Sequence, residues 1–176
     1  MTTASMTEAQ LIEACLQDNR LAQKELYDRY SRAMYTAAYR ITSDFELAND
    51  VLQEAIVKIF RHLKSFRKES TLGAWIKTIV VRTALSRVRK EIRMEALEDY
   101  HLKDQVIDWG HHLEADYLEK AIQALPTGYR SVFVMIEVEG YSHQEVANML
   151  DISVGTSKSQ LFYAKKKLRT MLAKYR

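Results

Sequence analysis

The stretch YSHQEVANMLDISVGTSKSQLFYAKKKLRTML, residues 141–172, predicts two helices joined by a tight turn. Ser142 and Glu145 have the S-x-x-E spacing of a capping box, so the first helix is expected to begin near His143. Ser153 is the expected N-cap of the second helix. This stretch therefore predicts a helix-turn-helix.

The second of these helices carries an unbalanced charge. Leu161, Ala164 and Leu168 recur at helical spacing and predict its buried face. Between residues 152 and 176 there is no acidic residue, and the basic residues are Lys158, Lys165, Lys166, Lys167, Arg169, Lys174 and Arg176. A merely solvated basic face is the alternative reading, but such a face usually mixes signs because i,i+4 ion pairs stabilise a helix. The pattern favours a helix that reads the major groove, with Thr156 to Gln160 near base edges and the cations on phosphates.

The composition predicts a helical protein with a real core. The chain has 176 residues, 47% of them hydrophobic, with five glycines, one proline and one cysteine. No apolar run reaches the roughly 20 residues that span a bilayer, and the N-terminus lacks the order of a signal peptide. The lone Cys15 excludes an internal disulfide and fits a reducing compartment. These features predict a soluble cytoplasmic protein.

The N-terminal half is expected to form further helices. Ser43 and Glu46 suggest a capping box, and the helix after it carries acidic residues in its first turns. The helix dipole favours acidic residues in the first turn, but Asp50, Gln53 and Glu54 lie beyond that turn. A polar contact surface for a partner is one interpretation of these three residues. Residues 65–72 read as a loop. The helix that follows is expected to begin at Trp75 and to expose the residues Lys77, Thr78, Arg82, Ser86, Arg89 and Lys90.

An acidic segment follows and predicts a linker between two modules. The predicted division is a first domain at 1–92, a linker at 93–112 and a second domain at 113–176. His111 and His112 lie in the linker, but adjacent histidines without spaced cysteines or carboxylates make a poor metal site. The expected fold is all-α, with two small helical domains and a helix-turn-helix in the second.

Four segments in order resemble the extracytoplasmic-function (ECF) sigma factors, bacterial transcription initiation factors of the sigma-70 family. DFELANDVLQEAIVKIF (44–60) resembles the helix that grips the polymerase clamp, and FRKESTLGAWIKTIVVRTALSRVRK (66–90) resembles the −10 region. ALPTGYRSVFVM (124–135) resembles the start of the second domain, and YSHQEVANMLDISVGTSKSQL (141–161) resembles the −35-reading helix-turn-helix. The resemblance covers nearly the whole chain.

The resemblance implies a role for each group of residues. It assigns core-polymerase binding to Asp50, Gln53 and Glu54. It assigns −10 binding, including capture of a flipped base by the loop and strand opening by the helix after it, to Phe66, Arg67, Lys68, Ser70, Trp75, Lys77, Arg82, Thr83, Arg89 and Lys90. It assigns −35 binding to Thr156, Ser157, Lys158, Ser159, Gln160, Phe162, Tyr163 and Lys166, with Arg130 as a phosphate clamp.

The chain departs from the family at four of its positions. Thr83 stands where Asn is frequent, Ser157 where Val is, Asp151 where Gly is, and Gln160 where Arg is. Gln160 would favour adenine where Arg favours guanine, so no promoter sequence is carried over from the family.

The resemblance also implies partners, and among the possible functions an enzyme ranks last. The expected partners are the clamp and flap elements of core RNA polymerase, promoter DNA and an anti-sigma factor, with no direct membrane insertion. No catalytic triad, phosphate loop or metal cluster is found in the sequence, so no cofactor is expected. Two rival hypotheses are a helix-turn-helix regulator that acts without polymerase, which would usually dimerise, and a sigma-like decoy that binds only a regulatory protein.

Overall fold

A computed structural model describes residues 6–97 and 114–173, and within them the regular structure is helical. The helices are α1 (Glu8–Leu16), α2 (Arg20–Thr42), α3 (Phe45–His62), α4 (Leu72–Leu97), α5 (Glu114–Gln123), α6 (Thr127–Phe133), α7 (His143–Leu150) and α8 (Val154–Leu172). A 3₁₀ turn, Leu63–Ser65, follows α3, and a π-helical turn, Val134–Val138, follows α6. The predicted all-α fold is confirmed over these residues, and no helix among them is long and apolar enough to cross a bilayer.

The described chain divides into two compact units. The N-terminal unit contains residues 6–39 and 44–84, and the C-terminal unit contains residues 40–43, 85–97 and 114–173. Helix α4 runs to Leu97, so residues 93–97 of the predicted linker are helical. Its remaining residues, 98–112, which include His111 and His112, lie outside the described part of the chain.

The N-terminal unit is built around apolar residues of α1–α4. Its fully buried large side chains are Leu11, Leu26, Ile59, Leu63, Leu72 and Ile76. Thr7 and Gln10, in T-x-x-Q spacing, form a capping box at the start of α1. After Asp18, which has a left-handed φ of 58°, the Asn19 side chain accepts hydrogen bonds from the main-chain N–H groups of Leu21 and Ala22 and starts α2.

Helix α3 begins differently from the sequence prediction. Its N-cap is Asp44, whose carboxylate accepts a hydrogen bond from Leu47 N at 2.7 Å. Ser43 has a left-handed φ of 54°, and its hydroxyl donates to the main-chain oxygen of Gln123 at 3.1 Å. The predicted Ser43–Glu46 capping box is therefore wrong, because an aspartate one residue later competes for the same role.

The C-terminal unit contains the helix-turn-helix, with α8 packed mainly against α6 and α7. Ser142 and Glu145 form the predicted capping box, and α7 begins at His143 as expected. Hydrogen bonds from the Ser142 main-chain N–H and hydroxyl hold the pKa of Glu145 below its usual value. Asp151 ends α7 with a left-handed φ of 57°, and Ser153 caps α8 through a 2.9 Å bond from Thr156 N. Glycine adopts a left-handed backbone without steric penalty, which explains why glycine is frequent in the family at the position of Asp151.

Candidate nucleic-acid and protein interfaces

Helix α8 presents a straight outward stripe to solvent. Gly155, Ser159, Phe162 and Lys166 are all exposed, and their spacing of four, three and four residues places them on one side of the helix. Lys158 is exposed beside this stripe. The opposite side is buried and consists of Ser157, Gln160, Ala164 and Leu168. We call the four exposed residues the α8 stripe.

Two residues predicted to read DNA lie on the buried side of α8. Ser157 is fully buried, and its hydroxyl lies 2.9 Å from Nδ1 of His143, the first residue of α7. Gln160 is only 7% exposed, and its Oε1 has no hydrogen-bond partner among the described residues. Side chains buried within the unit do not reach base edges, so we leave both out of the candidate interface. Leu161, which the sequence predicts to be core, is only half-buried. The buried side of α8 is centred on the line of Ser157, Gln160, Ala164 and Leu168, and Leu161 lies at its edge.

Three aromatic rings form a ladder that ends on the α8 stripe. Tyr129 of α6 and Tyr163 stack with ring centroids 6.2 Å apart and planes 19° apart. Phe162 meets Tyr163 edge to face, with centroids 5.4 Å apart. Phe162 is 60% exposed and Tyr163 is 49% exposed. We call Tyr129, Tyr163 and Phe162 the ring ladder. Tyr129 lies outside the set predicted from the sequence, because its part in the ladder depends on the packing of α6 against α8.

Arg130 lies inside the C-terminal unit, where no phosphate reaches it. Its side chain is 5% exposed. The guanidinium donates, at 2.7–3.3 Å, to the main-chain oxygens of Ile41, Thr42, Gln123 and Leu125 and to the hydroxyl of Thr127. Arginine has only donors, and here carbonyl groups satisfy them. The structure therefore corrects the prediction of a phosphate clamp and gives Arg130 a structural role.

Gly155 occupies a place on the α8 stripe that the packing of the unit does not explain. A Cβ built there would meet only the Ser153 hydroxyl within 4 Å, at 3.5 Å, which is an ordinary contact. The residue is helical and does not have a positive φ; among the glycines of residues 6–97 and 114–173, Gly140 has one, at 79°. A helical glycine is less favourable than alanine, so neither backbone strain nor crowding within the protein accounts for its presence.

The predicted −10 loop exposes most of its side chains next to a half-buried ring pair. Arg67, Lys68 and Ser70 are exposed, and Lys68 has a left-handed φ of 59°. The rings of Phe66 and Trp75 are 5.3 Å apart and tilted by 45°. Helix α4 begins at Leu72, three residues before the predicted Trp75, so Trp75 is held in its first turn.

The predicted −10 residues of α4 differ in their exposure. Lys77 and Arg82 are exposed in the N-terminal unit. Thr83 is 2% exposed; its hydroxyl donates to the main-chain oxygen of Ile79 at 2.8 Å and lies 3.2 Å from Nζ of Lys58. Its burial removes Thr83 from the candidate interface. In the C-terminal unit, Lys90 is exposed, and the exposed Arg89 donates to the main-chain oxygen of Met149 at 2.8 Å.

Helix α3 presents the residues predicted to bind polymerase on its outer side. Asp50 and Gln53 are exposed, and the half-buried Glu54 forms an ion pair of 2.7 Å with Lys58. Val57 follows Gln53 by one helical turn and is 54% exposed. Val57 lies outside the set predicted from the sequence, although its spacing of four residues from Gln53 places it on the same face of the helix. The surface is thus acidic with an apolar end.

No group of three His, Cys, Asp or Glu side chains that could hold a metal ion occurs in residues 6–97 and 114–173. The chemistry that these surfaces offer is binding by charge, hydrogen bonding and ring contact.

Comparison with known proteins identifies two family regions. Residues 26–94 match "Sigma-70 region 2" and residues 115–168 match "Sigma-70, region 4". The chain is 31% identical over 169 residues to the ECF RNA polymerase sigma factor SigM of Mycobacterium tuberculosis, covering 94% of this chain and 85% of that protein. It is 32% identical over 160 residues to the ECF sigma factor SigE of Mycolicibacterium smegmatis, covering 86% of this chain and 62% of that protein's length.

A solved structure has a similar fold. It is the sigma factor RpoE in complex with the anti-sigma factor NepR from Bartonella quintana, at 25% identity and a TM-score of 0.55. The match covers 87% of this chain and 98% of that one.

Proposed function

The chain belongs to the ECF sigma factors of the sigma-70 family and is an alternative sigma factor that directs promoter-specific transcription, and we propose how its residues divide this work. The first module, residues 1–92, binds core polymerase and the −10 element, and the second, residues 113–176, binds the −35 element. The observation that carries the proposal is the α8 stripe. The stripe lies on the second helix of a helix-turn-helix, directly after the Ser153 cap. Its hydrogen-bonding, aromatic and cationic side chains face outward.

In the −35 complex, α8 enters the major groove by its N-terminal end. Ser159 and Thr156 reach base edges, because they are short hydrogen-bonding side chains in the first turns. Lys158 and Lys166 contact phosphates on either side of the groove, and this supplies affinity that depends on salt. Phe162 and Tyr163 complete the surface.

At the −10 element, the first module binds the opened strand. Arg67, Lys68 and Ser70 in the exposed loop contact the nucleotide backbone, and the Phe66–Trp75 ring pair offers a face for an unstacked base. Lys77, Arg82, Arg89 and Lys90 hold phosphates along α4 by charge.

Core polymerase binds the outer side of α3. Asp50 and Glu54 contribute negative charge, Gln53 contributes a hydrogen-bonding amide, and Val57 adds an apolar contact at the end of the same surface. A partner surface with basic and apolar side chains complements this arrangement.

The chain contributes no covalent step, and the polymerase performs the chemistry. The sigma factor acts in the cytoplasm, where core polymerase transcribes DNA. We further propose that an anti-sigma factor regulates it, supported by the similar fold of a sigma factor solved with such a partner.

The test is reconstituted transcription with bacterial core polymerase and a library of promoters, with and without this protein. Transcripts from a defined subset of promoters, appearing only when the protein is added, are expected. Core binding without transcripts would favour a decoy, and DNA binding by a tight dimer without core binding would favour a stand-alone regulator.

A further inference from the structure

Three aromatic rings meet near the end of α2 and the start of α3, in the N-terminal unit. Tyr35 and Tyr39 of α2 stack with ring centroids 5.9 Å apart and planes 12° apart. Phe45, the first residue of α3, meets Tyr35 edge to face, also at 5.9 Å. Phe45 is 68% exposed, whereas the two tyrosines are half-buried. We call Tyr35, Tyr39 and Phe45 the aromatic patch. Its tyrosines support the exposed ring from the side, so less conformational entropy is lost when that ring meets a partner.

The aromatic patch is bordered by negative charge. Asp44 and Glu46 precede and follow Phe45 in the chain, and both are exposed. Burial, the neighbouring Tyr39 and the charge of Asp44 raise the pKa of Tyr35, so the Tyr35 hydroxyl stays protonated at neutral pH. The face of an aromatic ring carries partial negative charge and attracts cations. The ring and the carboxylates therefore favour the same kind of partner, a positively charged side chain.

The aromatic patch adjoins the surface of α3 that we assign to core polymerase. Asn49 follows Phe45 by one helical turn, and Gln53 follows Asn49 by another, so a row of side chains joins the two surfaces. The eight residues from Phe45 to Gln53 span about 12 Å along the helix. A protein interface of ordinary size buries about 800 Å² on each partner. A partner that covers Gln53 therefore also reaches Phe45.

We propose that the aromatic patch receives an arginine side chain of core polymerase, whose guanidinium lies over the ring of Phe45 and is attracted by the carboxylates of Asp44 and Glu46. Arginine suits this place because its planar guanidinium stacks on aromatic rings and is more weakly hydrated than the ammonium group of lysine. The inference rests on the proposed function of α3. It extends that function by a contact of a different chemistry, in which a ring rather than a carboxylate or an amide meets the polymerase.

The experiment measures the affinity of the full chain for core polymerase without DNA. Phe45→Leu keeps an apolar side chain but removes the ring, and it is expected to weaken binding about 5- to 30-fold, the value of a desolvated cation–π contact. Phe45→Trp supplies the best ring for a cation and should retain the affinity or raise it. Replacement of Phe45 by pentafluorophenylalanine keeps the ring but withdraws electrons from its face. It should weaken binding as much as leucine does.

Two further variants test the charge and the position of the patch. Asp44→Asn removes a carboxylate beside the ring and keeps the cap of α3, because asparagine is as good an N-cap as aspartate. It should lower the affinity and make it less dependent on salt. Tyr27→Leu is the matched control, since Tyr27 is an exposed ring of α2 next to Asp28, whose carboxylate is paired with Lys24. Its core affinity should equal that of the parent, and a thermal unfolding curve for each variant checks the fold.

The outcomes separate this inference from the proposed function. Full affinity in Phe45→Leu or in the pentafluorophenylalanine protein would overturn the inference, because an apolar contact does not need an electron-rich ring. A dimer in sedimentation that Phe45→Leu dissociates would assign the patch to a second copy of the chain and also overturn it. If Asp50→Lys weakens core binding while the Phe45 variants do not, the α3 surface stands and the inference falls. If Asp50→Lys has no effect either, both fall.

Discussion

Replacement of Gly155 by alanine is expected to stabilise the free protein and to weaken its binding to −35 DNA. The added Cβ meets only the Ser153 hydroxyl, at an ordinary 3.5 Å, and the helical backbone of Gly155 suits alanine. Alanine is more favourable than glycine in a helix by roughly 0.5–1 kcal/mol. The free energy of unfolding of the C-terminal unit should therefore rise by about that amount.

The effect on DNA binding follows from the place of Gly155 at the start of the α8 stripe. Where DNA touches the glycine Cα at about 3.5–4.0 Å, a Cβ about 1.5 Å further out forces the helix to withdraw by a similar distance. A hydrogen bond of about 2.9 Å from Ser159 to a base would then exceed the limit for such bonds. Each lost base contact is worth about 1–3 kcal/mol, which corresponds to a loss of affinity of roughly 5- to 150-fold.

Two assays on the same variant test this reasoning. Denaturant unfolding measures stability, and titration of the holoenzyme with selected promoter DNA measures affinity. Gly140→Ala is the control: its φ of 79° makes alanine strained there, so stability should fall by about 1–2 kcal/mol while the folded protein keeps its DNA affinity. Unchanged DNA binding by Gly155→Ala would refute the close approach, and a loss of stability would mean that the glycine serves the fold.

Four further changes test separate parts of the structure. Asp50→Lys should weaken core-polymerase binding by at least about tenfold, the effect of reversing one charge at an interface. Glu13→Lys, an exposed control on α1, should not, and equal affinities in a binding titration would exclude the α3 surface. Lys158→Ala should lower the slope of log K against log salt by about 0.9, and an unchanged slope would argue against a phosphate contact. Arg130→Ala should reduce the free energy of unfolding by about 2–5 kcal/mol, because its carbonyl partners lose their donors; a variant as stable as the parent would contradict its buried role. The depressed pKa of Glu145 stabilises the fold above the ordinary value near pH 4.5, and this contribution is lost as the pH falls through the folded-state pKa. Glu145→Gln should therefore flatten the stability profile below pH 4.5, and a profile identical to the parent's would contradict the capping box.

The local features of the helix-turn-helix could be predicted from sequence because they depend on neighbours. The capping box of Ser142 and Glu145 and the N-cap Ser153 each require contacts only three residues away. The same local logic gave the wrong cap at α3, where Ser43 and Asp44 both suit the role. The left-handed backbone of Ser43 and its bond to Gln123, 80 residues away, decide in favour of Asp44.

Hydrophobic periodicity predicted only part of the buried side of α8, namely Ala164 and Leu168. That pattern selects apolar residues, so it chose Leu161 and passed over Ser157 and Gln160. Ser157 is buried because His143, at the start of α7, supplies a hydrogen-bond partner 2.9 Å from its hydroxyl. The packing of α8 against α6 and α7, of which this contact is a part, determines which residues form the α8 stripe.

Charge counted along the sequence overestimates the surface available to DNA. In the sequence, Arg130 cannot be distinguished from a DNA-contacting arginine. Its burial depends on carbonyl partners at Ile41 and Thr42, which are 88–89 residues away in the chain. Lys165 in the basic helix forms an ion pair with Glu137 at 2.6 Å. Binding a phosphate would require such contacts to be broken first, so these cations contribute less to counterion release than the exposed Lys158 and Lys166. The salt dependence of promoter binding should therefore follow the exposed cations and fall below the number of basic residues in the helix.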